Sequence, residues 1–176
     1  SSAASDVYKR QVKRLLFLGS SCIYPRDCKQ PMKEEYLLTG PLEKSNRPYA
    51  LAKISGIEMC SSYNRQYNTK YLAAMPTNMY GPGDNYDLET GHVMAALIRK
   101  FYEAKKSNSM TATVWGSGSP KREFLYSHDM ASACIFLMTL ADNEFNSLLN
   151  NNYEKNSFPL INIGTGEEIS IKDLSL

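Results

Sequence analysis

Apolar positions in this chain gather into short unbroken runs separated by longer stretches with a helical period, and that alternation predicts an architecture. Residues 12–18 form the first run, mostly apolar and stopped by Gly19, as suits a buried parallel strand. A loop containing Pro and Lys follows. Ser45 and Asn46 then offer N-cap side chains, with Pro48 tolerated in the first helical turn. From there to about Asn68 the period is helical, with Ala50, Ile54 and Ile57 at i, i+4 and i+7. Residues 71–75 read as the next strand, ending at Pro76-Thr77-Asn78. A loop rich in Gly, Asp and Asn (81–91) precedes a helix near 93–105.

Two β-like runs come next, at 111–116 and 122–126, separated by the turn Gly116-Ser117-Gly118-Ser119-Pro120. Ser127 or Asp129 is placed to cap a helix running to about Ala141, and the Asn-rich stretch 146–156 reads as an exposed loop. Residues 159–163 form a further strand, and Gly164-Thr165-Gly166 turns it towards 169–174, the opening of another helix. Strands alternating with helices predict an α/β fold with a parallel sheet. The polar, aperiodic residues 1–11 stand apart as a leader. No GxGxxG fingerprint follows any strand; Gly116-Ser117-Gly118 runs into Ser-Pro-Lys-Arg and makes a poor phosphate loop. With that absence, and with the chain stopping as a new element begins, the expectation is a fragment of a longer protein.

Composition narrows the classes without choosing among enzymes. The 176 residues are 43% hydrophobic and 22% charged, as in ordinary globular domains. A formal net charge of +2 argues for neither nucleic acid nor a membrane surface, and no apolar run approaches the ~20 residues that span a bilayer. The four cysteines, Cys22, Cys28, Cys60 and Cys134, lack CxxC spacing, and only His92 and His128 are there to join them. No metal site is expected, and a reduced, cytoplasmic protein is.

Chemistry enters at two stretches. Tyr49 and Lys53 are four residues apart, so on a helix they share a face at roughly 5–6 Å between Cβ atoms. An ammonium beside a phenol favours the phenolate, which suits a proton donor to a carbonyl under reduction. By itself the pair is equally an amphipathic helix with a snorkelling lysine. Gly19-Ser20-Ser21-Cys22 ends the first strand with hydroxyls able to hydrogen-bond a carbonyl, although Gly-Ser-Ser more often simply terminates a strand. Cys22 carries a thiol able to exchange protons near neutral pH, while a cysteine after a buried strand is usually inert. Pro76, Thr77, Asn78 and Met79 follow a strand end, where ligands of open α/β sheets sit.

Strand–Gly-Ser-Ser, Tyr-x-x-x-Lys on a helix and Pro-Thr-Asn at the following strand end, in this order, resemble the extended short-chain dehydrogenase/reductases. The segments FLGSSCIYP, QPMKEEYLLTG, PYALAKISGIEMCSSYNRQY, MPTNMYGPGDNY, HVMAALIRKF, VWGSGSPKREFL and DMASACIFLM resemble, more narrowly, the GDP-L-fucose synthase family, from about Val12 to Leu176. The resemblance implies a partial Rossmann-type doubly wound parallel sheet, its first β-α-β units missing, with a smaller mixed α/β substrate domain. Residues 12–90 would be the C-terminal half of the NADP-binding domain. Residues 91–176 would be the GDP-sugar domain, interleaved with the Rossmann sheet and incomplete at its C-terminus.

The same resemblance implies NADP(H) as cofactor, a GDP-sugar as substrate and a homodimer. Its reaction is C3/C5 epimerisation of GDP-4-dehydro-6-deoxy-D-mannose followed by reduction at C4. Tyr49 would be the acid at the sugar O4, Lys53 would tune it and bind the nicotinamide ribose, and Ser20 would hold the ketone. Cys22 and His92 would be the acid–base pair for the two inversions. Leu18, Gly19, Ser20, Ser21, Lys53, Pro76, Thr77, Asn78, Met79 and His92 would line the cofactor, and Lys100, Trp115 and Arg122 would hold the GDP-sugar. Cys28, Cys60 and Cys134 match no family role. His92 is equally a loop-to-helix residue, and the basic residues around Lys100 are equally a solvated face. Another extended sugar-nucleotide epimerase or dehydratase, or a truncated domain that binds no cofactor, stays open at this point.

Overall fold

Strand β1 (Arg14–Leu18) forms where the first apolar run predicts it but is not the buried strand expected, since among the described residues it is paired on one side only and none of its residues is buried. Strand β2 (Lys70–Pro76) lies parallel beside it with Phe17 opposite Ala73. The other edge of β2 pairs, also parallel, with β5 (Leu160–Ile163), Met75 standing opposite Asn162. These coordinates come from a computed structural model that describes residues 12–149 and 157–176. The expected leader at 1–11 and the Asn-rich residues 150–156 lie outside the described residues.

Between β1 and β2 runs helix α1 (Arg47–Tyr67). Ala50, Ile54 and Ile57, the periodic positions, are its buried face, and Asn68 in the left-handed region (φ 52°) ends it. One face of the sheet packs Ala73 and Met75 with Ile54, Ile57, Ile23, Tyr24, Leu37, Phe158 and Leu160. The other packs Leu72 against Leu137 of α3 (Ser127–Thr139) and Phe145 of α4 (Asp142–Ser147). Residues 72–76 are therefore buried without interruption, the mark of a parallel strand covered on both sides.

Arg14 ties these layers together. Its guanidinium donates to the carbonyls of Met138 and Leu140, which close α3, and to the Asp142 carboxylate that opens α4 (2.9, 2.7 and 2.7 Å). Lys70 adds a second cation 3.1 Å from Asp142. The hydrogen bonds from Arg14 and then Lys70 hold this carboxyl below the usual carboxylate range.

These elements, apart from the first turn of α3, belong to one of two compact units, residues through Thr77 together with 131–163. The second unit comprises residues 78–130 and 164–176. It holds a mixed sheet in which β3 (Asn78–Tyr80) pairs parallel with β4 (Lys121–Tyr126), and β4 pairs antiparallel with β6 (Glu168–Ser170). Helices α2 (Val93–Lys106) and α5 (Ile171–Leu174) complete it.

Four local expectations are corrected. Residues 111–116 form no strand: Met110 is fully exposed, and the carbonyls of Thr111 and Thr113 accept from Ser109 Oγ and Lys100 Nζ instead of from a ladder. Residues 146 and 147, the head of the expected loop, close a helix that begins at Asp142, with the Glu144 carboxylate accepting from the Ala141 N–H at 3.1 Å. Ser127 and Asp129 do not precede α3 as caps but lie in its first turn. Residues 168–170 pair with β4 before the last helix begins. Among the described residues, no helix is long and apolar enough to cross a membrane.

Candidate active site

The end of β1 leads straight into the first chemical stretch. Gly19 extends the pairing by donating to Ala74 O at 2.8 Å, and it passes Met75 so closely that a Cβ would sit 2.2 Å from the Met75 methyl carbon. Only glycine fits there without moving the core. Ser20, extended at φ −162°, caps a single 3-10 turn (Ser21–Ile23) by accepting from the Cys22 N–H at 3.4 Å. Ile23 and Tyr24 then bury themselves in the core and fix the turn from behind.

Tyr24 is held further by its hydroxyl, which donates to Asn162 Oδ1 of β5, while Asn162 donates to Met32 O and to Glu34 Oε1. Burial, before the nearby Glu34 charge, pushes the Tyr24 phenol well above its ordinary range, so it stays a neutral donor. Cys22 thus rides on a turn anchored at both ends, its thiol half-buried and free of any disulfide.

Helix α1 brings the second stretch to the first. Lys53 Nζ donates to Leu18 O at 2.9 Å and lies 5.6 Å from the Tyr49 ring centroid and 5.4 Å from that of Phe17. One turn ahead of the tyrosine, Asn46 Nδ2 donates to Cys22 Sγ at 3.1 Å. Two anchors, Asn46 to Cys22 and Lys53 to Leu18, bracket Tyr49, which is half-exposed. Ser20, Cys22, Tyr49 and Lys53 are therefore gathered at the carboxyl end of β1, the position at which open parallel sheets bind ligands. Pro76 and Thr77 end β2 at the same edge of the sheet, where Thr77 N donates to Ile163 O at 3.2 Å. The Thr77 hydroxyl is buried with no hydrogen-bond partner.

Sequence reasoning missed Asn46 as a site residue. It reads as a cap from its position, and its partner is 24 residues distant, so no local pattern signals the contact.

The remaining predicted residues lie in the second unit. Asn78 and Met79 begin β3, with Asn78 Nδ2 donating to Glu123 O at 3.0 Å. His92 is the exposed N-cap residue of α2 and makes no side-chain cap hydrogen bond. Lys100 of α2 sits 4.0 Å from the Trp115 ring centroid, a cation–π pair, and Trp115 is 68% exposed. Arg122 is exposed on β4 and donates to Lys121 O at 2.7 Å.

Residues 3–150 match the family described as NAD dependent epimerase/dehydratase. The chain belongs to that family. Among curated members of known name, it is 51% identical to the GDP-L-fucose synthase of Escherichia coli (strain K12), over 96% of this chain and 51% of that protein. Two solved structures extend the likeness in this epimerase/dehydratase fold. One is a GDP-D-glycero-L-gluco-heptose synthase from Campylobacter jejuni, solved in the presence of NADPH (33% identity, TM-score 0.80, 98% of this chain, 58% of that one). The other is a GDP-L-fucose synthetase from Naegleria fowleri bound to NADP (32% identity, TM-score 0.77, 98% of this chain, 51% of that one). The chain spans about half the length of the curated relatives it matches.

Proposed function

We propose that the protein carrying this chain converts GDP-4-dehydro-6-deoxy-D-mannose to GDP-L-fucose by inverting C3 and C5 and then reducing the C4 ketone. The observation that carries the reading is the gathering of Ser20, Cys22, Tyr49 and Lys53 at one strand end. A proton donor for a carbonyl stands there beside a thiol that simple reduction does not need. The 51% identity to a GDP-L-fucose synthase supports the substrate.

NADP(H) fits the residues present. The buried, unpartnered Thr77 hydroxyl and the Lys53 ammonium, which gives one donor to Leu18 O and has three, are polar groups at the strand ends suited to a ligand. Leu18, Gly19, Ser20, Ser21, Lys53, Pro76, Thr77, Asn78, Met79 and His92 would hold the nicotinamide half. Bound there, the cofactor supplies hydride to C4.

The chain's own residues do the proton work. A ketone at C4 acidifies the hydrogens at C3 and C5, and inversion at each centre needs a base on one face and an acid on the other. Cys22 and His92 take these roles. Ser20 donates to the ketone oxygen and orients it. Tyr49 delivers the proton that turns the C4 oxygen into a hydroxyl, with Lys53 steadying its phenol.

In the second unit, Lys100, Trp115 and Arg122 bind the GDP portion, the cations against diphosphate and the indole against an apolar or ring surface. Residues 12–90 thus serve the cofactor and 91–176 the GDP-sugar. The protein works in the cytoplasm, consistent with four free thiols. It acts as a homodimer; the exposed stripe Leu51, Met59, Tyr63 and Tyr67 on α1 supports that assembly.

Incubating the full-length protein with the 4-keto sugar nucleotide and NADPH tests the reading. Loss of NADPH absorbance with formation of the L-fuco product is expected. Reduction that leaves C3 and C5 in their original configuration overturns it.

A further inference from the structure

Asn46 occupies the N-cap position of α1 and does not cap it. An asparagine there ordinarily accepts from an N–H of the first turn, a bond worth about 1 kcal/mol. Here the side chain makes no such bond, and its Nδ2 instead donates to Cys22 Sγ at 3.1 Å. The other end of the amide, Oδ1, is buried and has no hydrogen-bond partner. A forgone cap and a stranded acceptor are two local sacrifices at one residue, the kind that persists where function constrains a side chain.

Sulfur chemistry sets what the contact returns. A neutral thiol is a weak acceptor and gains little from an N–H donor, whereas a charged acceptor makes a hydrogen bond about twice as strong. We propose that Asn46 is a positioning residue for the proton transfers at Cys22, its amide N–H fixing the sulfur and supporting it as the anion. The inference rests on the proposed function for the identity of the proton's donor. When the sulfur takes a proton, a C–H bond next to the ketone breaks, its electron pair moves to the C4 oxygen as an enolate, and S–H forms. When the sulfur gives a proton, the flow reverses. Either way the sulfur is anionic at one end of the transfer, and the Asn46 N–H is already in place.

Alkylation of the full-length protein by iodoacetamide near neutral pH, read peptide by peptide, tests this without substrate. Half-buried Cys28 in the same molecule serves as reference. Asn46→Ala removes the donor, and Asn46→Leu removes it while keeping the side chain's bulk and adding no charge, so the second variant still decides if the first fails to fold. Both are expected to slow Cys22 alkylation relative to Cys28 by about tenfold to a hundredfold, the strength of a hydrogen bond to a charged group.

A merely structural Asn46 predicts the opposite sign, because a loosened turn exposes Cys22 and speeds its alkylation. An unchanged or faster rate at Cys22 overturns the proposal. In the same variants, kcat for solvent deuterium exchange at C3 and C5 is expected to fall by a similar factor, with KM held within about twofold. If alkylation slows but the wild-type protein exchanges no deuterium at all, the proposed function falls and the support of the sulfur by Asn46 stands.

Discussion

Tyr49 is 50% exposed, while its neighbour Ala50 on α1 is fully buried. Its hydroxyl therefore contributes little to packing, and stability and chemistry separate at this residue. Tyr49→Phe is expected to leave the melting temperature within about a degree, since surface changes of this kind are worth less than ~0.5 kcal/mol, and to lower turnover by about 10²–10⁴-fold, as removal of a general acid does. Melting curves beside steady-state kinetics check both halves. Cys60 makes the contrasting case. Burial pushes its thiol up to about 11, so the folded state holds the proton more tightly than the unfolded chain does. Its contribution to stability is complete below the ordinary thiol range and is lost as pH rises through about 11. Denaturation midpoints measured from pH 8 upward are expected to fall more steeply in the wild-type protein than in Cys60→Ala.

Among the elements, α1 carries most of the site, and its seat on β1 depends on Gly56. A Cβ at that position would lie 2.2 Å from the tip of the Phe17 ring, which packs against the main core. Helix propensity alone predicts that Gly56→Ala stabilises by up to ~1 kcal/mol. Overpacking costs about 1–3 kcal/mol and decides the sign, so a lower urea midpoint is expected. The Arg14–Asp142–Lys70 cluster gives a second test. Because Asp142 is held below the usual carboxylate range, its contribution is present above the unfolded carboxyl's range and is lost as pH falls through the folded value. Asp142→Asn should lower the melting temperature at neutral pH, and the difference from wild type should vanish in strong acid.

These elements also show what the sequence could reveal. The 50/54/57 period and the unbroken run at 71–75 each reported a burial pattern directly, so α1 and β2 were legible to within two residues. Three-residue strands such as β3 and β6 are too short to carry a period, and their pairing with β4 is set by the fold. The run 111–116 looks β-like by composition, yet it makes no strand, and side chains take the carbonyls of Thr111 and Thr113. Tyr49, Lys53 and the Ser20–Cys22 turn were legible as candidates because their spacing has a chemical reason. The contact from Asn46 to Cys22 has no local signal and needed the structure.

Over the whole molecule, the parallel-sheet unit carries Ser20, Cys22, Tyr49 and Lys53, and the mixed-sheet unit carries His92, Lys100, Trp115 and Arg122. Trp115 is 68% exposed, with the Lys100 ammonium over its ring, so Trp115→Ala is expected to raise KM for the GDP-sugar about tenfold, with kcat and folding little changed. Isothermal titration with GDP and steady-state kinetics read that split. Coupling of carbonyl reduction to inversion at two neighbouring carbons through Cys22 is tested by nuclear magnetic resonance of the product formed in D₂O by the full-length protein from the 4-keto sugar nucleotide and NADPH. Deuterium at both C3 and C5, lost with Cys22→Ser, is the predicted result; protons retained at both carbons, or undiminished deuterium in Cys22→Ser, would contradict it.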